Sequence, residues 1–394
     1  MKKIFQSNNI YTAFWCLYYA QGSFYAHGSS LSLSLLLVLL LWSFYYVYKV
    51  NREVRTTSFI RFLNFLIFFI SVYGIYNIFT QVDFVESGDG YENSYSQLRD
   101  WYKGLLPIYA YYYFSYKGTV NKEWFTRWIF VFTATAIVQY FVYQKDQLTM
   151  ILEMGSRQTE ITNNTGYIIV SLLPAIVFVE KKWLQYMLVA IVIIFSLSAM
   201  KRGALLVGSM ALVVFFYNTF KNSSTKDKFF LLMGLAVVST MAIYYVGYMM
   251  ESSSYFIDRL DATKSGESGR NFTYIYNKYI EQDSLIYILF GRGIMGTLEL
   301  MQIRAHNDWL EFLINFGIVG LLVFGIFWKK MWSDICKIDK NTEIWVAALV
   351  FFTINFLKTF FSMSLGTLTI YSSAVFAYCI TYLIKGEFNY GNKK

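Results

Sequence analysis

Charge is what this chain of 394 residues has least of: Asp, Glu, Lys and Arg together make up 15% of it, against roughly 25% in soluble domains. That shortage, beside 56% hydrophobic and 21% aromatic residues, excludes an ordinary soluble domain and marks an integral membrane protein. Histidine is scarcer still, with His27 and His306 alone. Any imidazole chemistry must therefore fall on one of two positions. Cysteine is limited to Cys16, Cys336 and Cys379, without paired spacing, so neither a disulfide framework nor a metal knuckle is expected. Low-complexity tracts and internal repeats that would suggest a two-halved transporter are also missing. No motif calls for a cofactor or a metal ion.

What is present is a series of apolar windows near the length of a bilayer core, which implies helices rather than a barrel. They predict an all-α polytopic fold of about twelve transmembrane helices in a single domain, 1–394. The spans are expected at Ile10–Ala26, Leu31–Val50, Phe59–Thr80, Leu98–Tyr116, Trp124–Tyr143, Gly166–Val179, Trp183–Met200, Gly203–Phe220, Phe229–Met249, Asp308–Trp328, Ile344–Phe361 and Thr367–Ile384. The basic Met1-Lys2-Lys3 start resembles that of a signal peptide, but a small-residue cleavage site with a soluble domain behind it is lacking. The first window reads as a span that stays.

The net charge of +9 is explained by lysines and arginines at membrane edges, so nucleic acid is not an expected partner. Arg52, Arg55 and Arg61, then Lys117, Lys122 and Arg127, then Lys181 and Lys182, Lys221 and Lys228, and Lys329 to Lys340 recur at every second connection. That alternation puts both termini in the cytoplasm. The opposite face receives an acidic loop (Asp83, Glu86, Asp89, Glu92), a polar loop from Gln144 to Thr165, the turn Lys201-Arg202, and a long loop over 250–306. A loop of about 55 residues is usually functional or carries structure of its own. Within it, Phe272 to Ile286 has helical apolar spacing, which fits either an amphipathic surface helix or a lid packed on the bundle.

Several groups on that face can carry chemistry. His306 precedes Asn307, the expected N-cap of the tenth span, where the positive helix end and Arg304 favour a neutral imidazole able to act as a base. An interfacial histidine bonded to a loop fits the same spacing. Lys201 and Arg202 form a cationic hairpin on the outer face, where the positive-inside rule disfavours them, so they call for a counter-charge. A lipid diphosphate would supply one, since arginine presents a fork suited to phosphate oxygens; a headgroup, Glu153 or Glu160 would also serve. Gly291-Arg292-Gly293-Ile294-Met295-Gly296 matches the dinucleotide pattern G-x-G-x-x-G, but outside a soluble βαβ unit the match carries no such meaning. It reads either as a turn bringing Arg292 to a phosphate or as a plain glycine turn. Lys358, deep in an apolar window, must snorkel or pair inside the bundle.

The run Phe195-Ser196-Leu197-Ser198-Ala199-Met200-Lys201-Arg202-Gly203-Ala204 resembles the S-x-x-R-G-A turn of the bacterial O-antigen polymerase and O-antigen ligase superfamily. Ser268-Gly269-Arg270, Gly291-Arg292-Gly293, and His306-Asn307-Asp308-Trp309-Leu310 leading to Gly317-Ile318-Val319-Gly320 resemble its later signatures, in the family's order. Lys201 departs from the serine common there, and Trp309 is also a departure. The resemblance implies a GT-C-like membrane glycosyltransferase of the bacterial inner membrane, independent of metal, with its site facing the periplasm. Its substrate would be an oligosaccharide on undecaprenyl diphosphate, its surroundings membrane lipids, and its partner a chain-length regulator. On the same basis Arg202 and Arg270 would hold the donor diphosphate and His306 would deprotonate the acceptor hydroxyl. Lys201, Arg292, Arg304, Asn307 and Trp309 would contact substrate. A polymerase of repeat units is the reading adopted. A ligase using lipid A core as acceptor, and a lipid-linked glycan flippase, are the alternatives.

Overall fold

With no water to satisfy it, a backbone in an apolar medium must close its hydrogen bonds within its own segment, and the apolar runs of this chain do so as helices. The computed structural model describes residues 6–21, 30–80, 85–87, 90–92, 94–153, 164–199, 201–221, 225, 228, 240, 244, 247, 272–281, 284–301 and 305–391. Five helical stretches there are long and apolar enough to cross a membrane: Ser30–Glu53, Ser58–Phe79, Lys122–Lys145, Arg202–Lys221 and Asp308–Ile335. The protein is thus α-helical and has the character of a membrane-embedded chain. Of the expected span Phe229–Met249 only residues 240, 244 and 247 are described, and Arg270 and Arg304 lie outside the described residues.

In chain order the helices are α1 (Ser7–Ala20), α2 (Ser30–Glu53), α3 (Ser58–Phe79), α4 (Ser94–Leu105), α5 (Pro107–Tyr116), α6 (Lys122–Glu153), α7 (Gly166–Val170), α8 (Leu173–Ile176), α9 (Lys182–Ser198) and α10 (Arg202–Lys221). After the central part of the sequence come α11 (Phe272–Ile280), α12 (Leu285–Phe290), α13 (Gly296–Met301), α14 (Asp308–Ile335), α15 (Glu343–Lys358), a 3-10 turn over Leu365–Thr367, and α16 (Ile370–Gly391). The expected acidic loop holds a small hairpin, in which Val85–Ser87 pairs antiparallel with Gly90–Glu92.

The sequence has two prolines, and each interrupts a window that hydropathy reads as one span. Pro107 starts α5 and Pro174 lies in the first turn of α8, where a missing N–H costs nothing. Leu98–Tyr116 is consequently two elements. The first of them, α4, places Ser96, Arg99, Asp100 and Lys103 at helical spacing on one face, with Leu98, Trp101, Tyr102 and Leu105 on the other. It caps the bundle. The second, α5, is buried on all sides, with Tyr109, Ala110, Tyr111 and Tyr112 at 0% exposure. Gly166–Val179 likewise divides into α7 and α8. The amphipathic run expected over Phe272–Ile286 also divides, because Ser284 is extended (φ −104°, ψ 115°) between α11 and α12.

Many aromatic rings fill the interior. Tyr11 meets Trp15, Trp42, Tyr111 and Phe114 edge-on, with centroids 5.4–6.3 Å apart, contacts worth about 0.5–1.5 kcal/mol per pair beyond burial. Several polar tips are satisfied internally: Tyr11 with Ser43 at 2.6 Å, Tyr111 with Thr12 at 3.0 Å, and the Trp124 and Trp128 indoles to Asn9 Oδ1 at 2.9 and 3.1 Å.

The bundle has two polar ends. At one, the Asp334 carboxylate accepts from Ser58 Oγ (2.7 Å), Phe59 N (2.8 Å) and Lys337 Nζ (2.8 Å), capping α3, and Lys122 pairs with Glu343. At the other, the segment 359–369 crosses between α15 and α16. The first residues of α10 and α14 meet at this second end.

Candidate functional site

Helix α14 is broken within its apolar length. Gly317 adopts φ 66°, ψ −162°, backbone that only glycine enters readily, and the break exposes the carbonyls of Ile314 and Asn315. The glycine turn after α12 covers them: Arg292 N donates to Ile314 O (3.2 Å) and Gly293 N to Asn315 O (2.8 Å). A Cβ at Gly291 would collide with the Asn315 carbonyl, and one at Gly317 with that of Leu289. The G-x-G-x-x-G run is therefore a docking turn for a broken helix. Side chains complete the seam. Asn315 Oδ1 accepts from Thr297 N (2.8 Å) and Thr297 Oγ1 (2.9 Å), while Asn77 Oδ1 accepts from Ile294 N (2.9 Å).

The upper piece of α14 holds the His306 turn. Asn307 is the N-cap as expected: its Oδ1 accepts from Trp309 N (3.0 Å) and Leu310 N (3.2 Å). One turn inside, buried Glu311 accepts from Ala305 N (2.7 Å) through Oε1 and from Asn315 Nδ2 (3.4 Å) through Oε2. The chain is thereby pulled back over its own helix start, and His306 is left at φ 50°, the only positive φ on a non-glycine among the described residues. Left-handed backbone costs an L-residue roughly 1–2 kcal/mol and persists only where neighbours enforce it. Here Glu311 and the Asn307 cap enforce it, presenting a half-exposed imidazole.

This turn is fastened to segment 359–364. Asp308 N donates to Thr359 O (2.8 Å), Asp308 Oδ2 accepts from Ser364 N (2.7 Å), Asn307 Nδ2 donates to Phe360 O (3.3 Å), and the Trp309 indole donates to Thr359 Oγ1 (2.8 Å). The Arg202 turn reaches the same segment from the other side. Gly203 leaves no room for a Cβ, which would collide with the Tyr167 hydroxyl and lie 3.0 Å from Phe361 Cβ. Between them is Lys358, buried, donating to Thr367 Oγ1 (2.6 Å), 5.1 Å from the Tyr167 ring centroid and within the field of Asp308. Of the two fates open to Lys358, pairing within the bundle is the one adopted.

The expected site residues thus separate. Arg202, exposed at the first position of α10, Lys201 before it, and His306 are brought to one segment, although about a hundred residues apart in sequence. Asn307 and Trp309 lie there too, but as parts of the scaffold. The Trp309 ring is stacked on Phe360 (5.8 Å, 24°) and edge-on to Phe324 (4.8 Å). Arg292 is at the docking turn, paired with Glu299 (3.2 Å) and 4.6 Å from the Tyr287 ring centroid. Arg270 and Arg304 are outside the described residues. Glu311 is the residue that sequence reading passes over. Its signal was an acidic group one turn inside an apolar helix, which in a membrane protein asks for a reason.

Chemically, the start of α10, with exposed Arg202, and the His306 turn border one segment, while the first amides of α14 are taken by Thr359 O and by Asn307. The half-exposed His306 stands at that turn. Among the described residues no group of His, Cys, Asp and Glu has metal-binding form. No family model and no curated protein sequence matches this chain.

Proposed function

We propose that the protein is a membrane glycosyltransferase that polymerises glycan repeat units carried on undecaprenyl diphosphate, at the outer face of a bacterial plasma membrane. The carrying observation is the meeting of the Arg202 and His306 turns on segment 359–364, for which the intervening sequence offers no local reason. Supporting it is the likeness of those turns to the O-antigen polymerase and ligase superfamily. In this reading about twelve helices span the membrane with both termini cytoplasmic, as the alternation of basic loops requires.

The proposed reaction needs little machinery. The acceptor hydroxyl oxygen attacks the anomeric carbon of the donor sugar, and the bond from that carbon to the phosphate oxygen breaks. Undecaprenyl diphosphate leaves with the bond's electron pair, and the configuration inverts. His306 takes the hydroxyl proton, an assistance worth roughly 10²–10⁴-fold. Arg202 and Arg270 meet the charge developing on the diphosphate, as preorganised donors do in water-poor sites. Glu311, Asn307 and Trp309 act through the backbone, holding the His306 turn.

The test is incubation of purified protein with its lipid-linked repeat unit and no other acceptor, in EDTA. A ladder of products is expected, lost in Arg202→Ala and His306→Ala while both variants remain inserted. Absence of a ladder, with transfer once lipid A core is added, would make the protein a ligase. Absence of both, with translocation of the lipid-linked unit, would make it a flippase.

A further inference from the structure

We propose that the cleft between α4 and the 3-10 turn Leu365–Thr367 is a binding subsite for the acceptor glycan, a hydroxyl-rich saccharide without strong net charge. The inference rests on the glycosyltransferase reading for the word acceptor, though not for the cleft itself.

The cleft encloses about 360 Å³ between the polar stripe of α4 and Met363, Gly366 and Thr367, within the range of about 300–1,000 Å³ usual for small-molecule sites. It adjoins a second hollow of about 220 Å³ on the far side of Gly366 and Thr367, bordered by Tyr18, Tyr19, Lys103 and Gln139. The close fit is built in: a Cβ at Gly104 would collide with the Leu365 carbonyl, so only glycine lets α4 lie this near the turn.

Three buried polar atoms on residues that line these hollows lack a hydrogen-bond partner among the described residues: Gln97 Nε2, on a residue 2% exposed, Arg99 Nε and the Tyr19 hydroxyl. A buried amide without a partner is costly and calls for an explanation, which the hydroxyls of a ligand would supply here. In the cleft itself Arg99 and Asp100 balance, and Lys103 at the neighbouring hollow adds one positive charge that Asp100 also pairs. Asp100 Oδ1 lies 2.9 Å from Lys103 Nζ and 3.5 Å from Arg99 Nε. The pairing leaves little unbalanced charge to select a strongly anionic ligand over one bearing many hydroxyls. Amide and guanidinium donors, carboxylate and hydroxyl acceptors, and the rings of the two tyrosines match a saccharide's edges and its C–H faces.

Position completes the case. Thr367 in the cleft wall accepts from Lys358, and Ser364 three residues earlier is bonded to Asp308, next to the His306 turn. A glycan seated in the cleft is therefore held by the same strap that orients the proposed base.

The experiment is direct binding of the free repeat-unit oligosaccharide, released by mild acid from the source cells' lipid-linked pool, to full-length protein in nanodiscs. Wild type is expected to bind it, Gln97→Leu to weaken binding at least tenfold, and Tyr19→Phe to weaken it further. The melting temperature should hold, since neither side chain makes a hydrogen bond among the described residues. Unchanged affinity in the double variant, or no binding by wild type, overturns the subsite. Ladder formation is scored in parallel. A ladder indifferent to both substitutions removes the subsite and leaves the transferase, whereas Gln97-dependent binding without a ladder leaves the subsite and removes the transferase.

Discussion

His306 combines a rare residue type with a rare backbone conformation, and the two can be separated by experiment. Glycine enters the left-handed region without the penalty of a Cβ. His306→Gly should therefore hold or raise the melting temperature of the purified protein, by relief of roughly 1–2 kcal/mol, while eliminating product formation. A glycine variant that still polymerises would remove the imidazole from the chemistry. One that melts far below wild type would show the side chain fastening the turn instead. Glu311 belongs to the same residue-scale account. Its two carboxylate oxygens bind the backbone before His306 and the amide of Asn315, so one buried acid couples the strained turn to the helix break.

At the scale of elements, the break at Gly317 and the docking turn at Gly291 form one joint. Gly317→Ala is expected to place a Cβ on the Leu289 carbonyl and to force left-handed backbone on alanine. The cost should exceed the 1–3 kcal/mol or so of such strain alone, read as a lower melting temperature and as newly exposed protease sites near α12. A variant as stable as wild type would mean that the two turns are not fastened there. Much of this architecture was legible in the sequence. Apolar windows located α2, α3, α9, α10 and α15 to within a few residues, and Asn307 announced its own cap. Hydropathy could not see that Pro107 and Pro174 interrupt their windows, because it sums side chains and ignores the missing N–H. Nor could it see that Gly317 breaks α14, since a glycine inside an apolar run carries no sign of its φ. At the site, Arg202 and His306 were readable as residue types, while the strap that brings their turns together was not. Thr359, Phe360 and Ser364 engage it mostly through backbone atoms, which every residue possesses, with side-chain contacts only where Trp309 meets the Thr359 hydroxyl and the Phe360 ring.

For the whole molecule, the native cysteines supply a probe of orientation. Cys16 and Cys379 are buried and Cys336 is exposed, at the end marked by Asp334 and the Lys122–Glu343 pair. If that end faces the cytoplasm, a membrane-impermeant maleimide should label Cys336 in inverted vesicles and leave intact cells unlabelled. Labelling of intact cells would turn the bundle over and place Arg202 and His306 inside, away from any external glycan. The two ends also differ in what they can tolerate. Segment 359–369 touches the His306 turn, the Arg202 turn, Lys358 and the α4 cleft within eleven residues. Most connecting loops accept added or deleted residues freely. In this one a single inserted residue would shift every later contact by one place relative to every earlier contact. Among descendants of this chain its length should therefore stay constant even where its side chains drift.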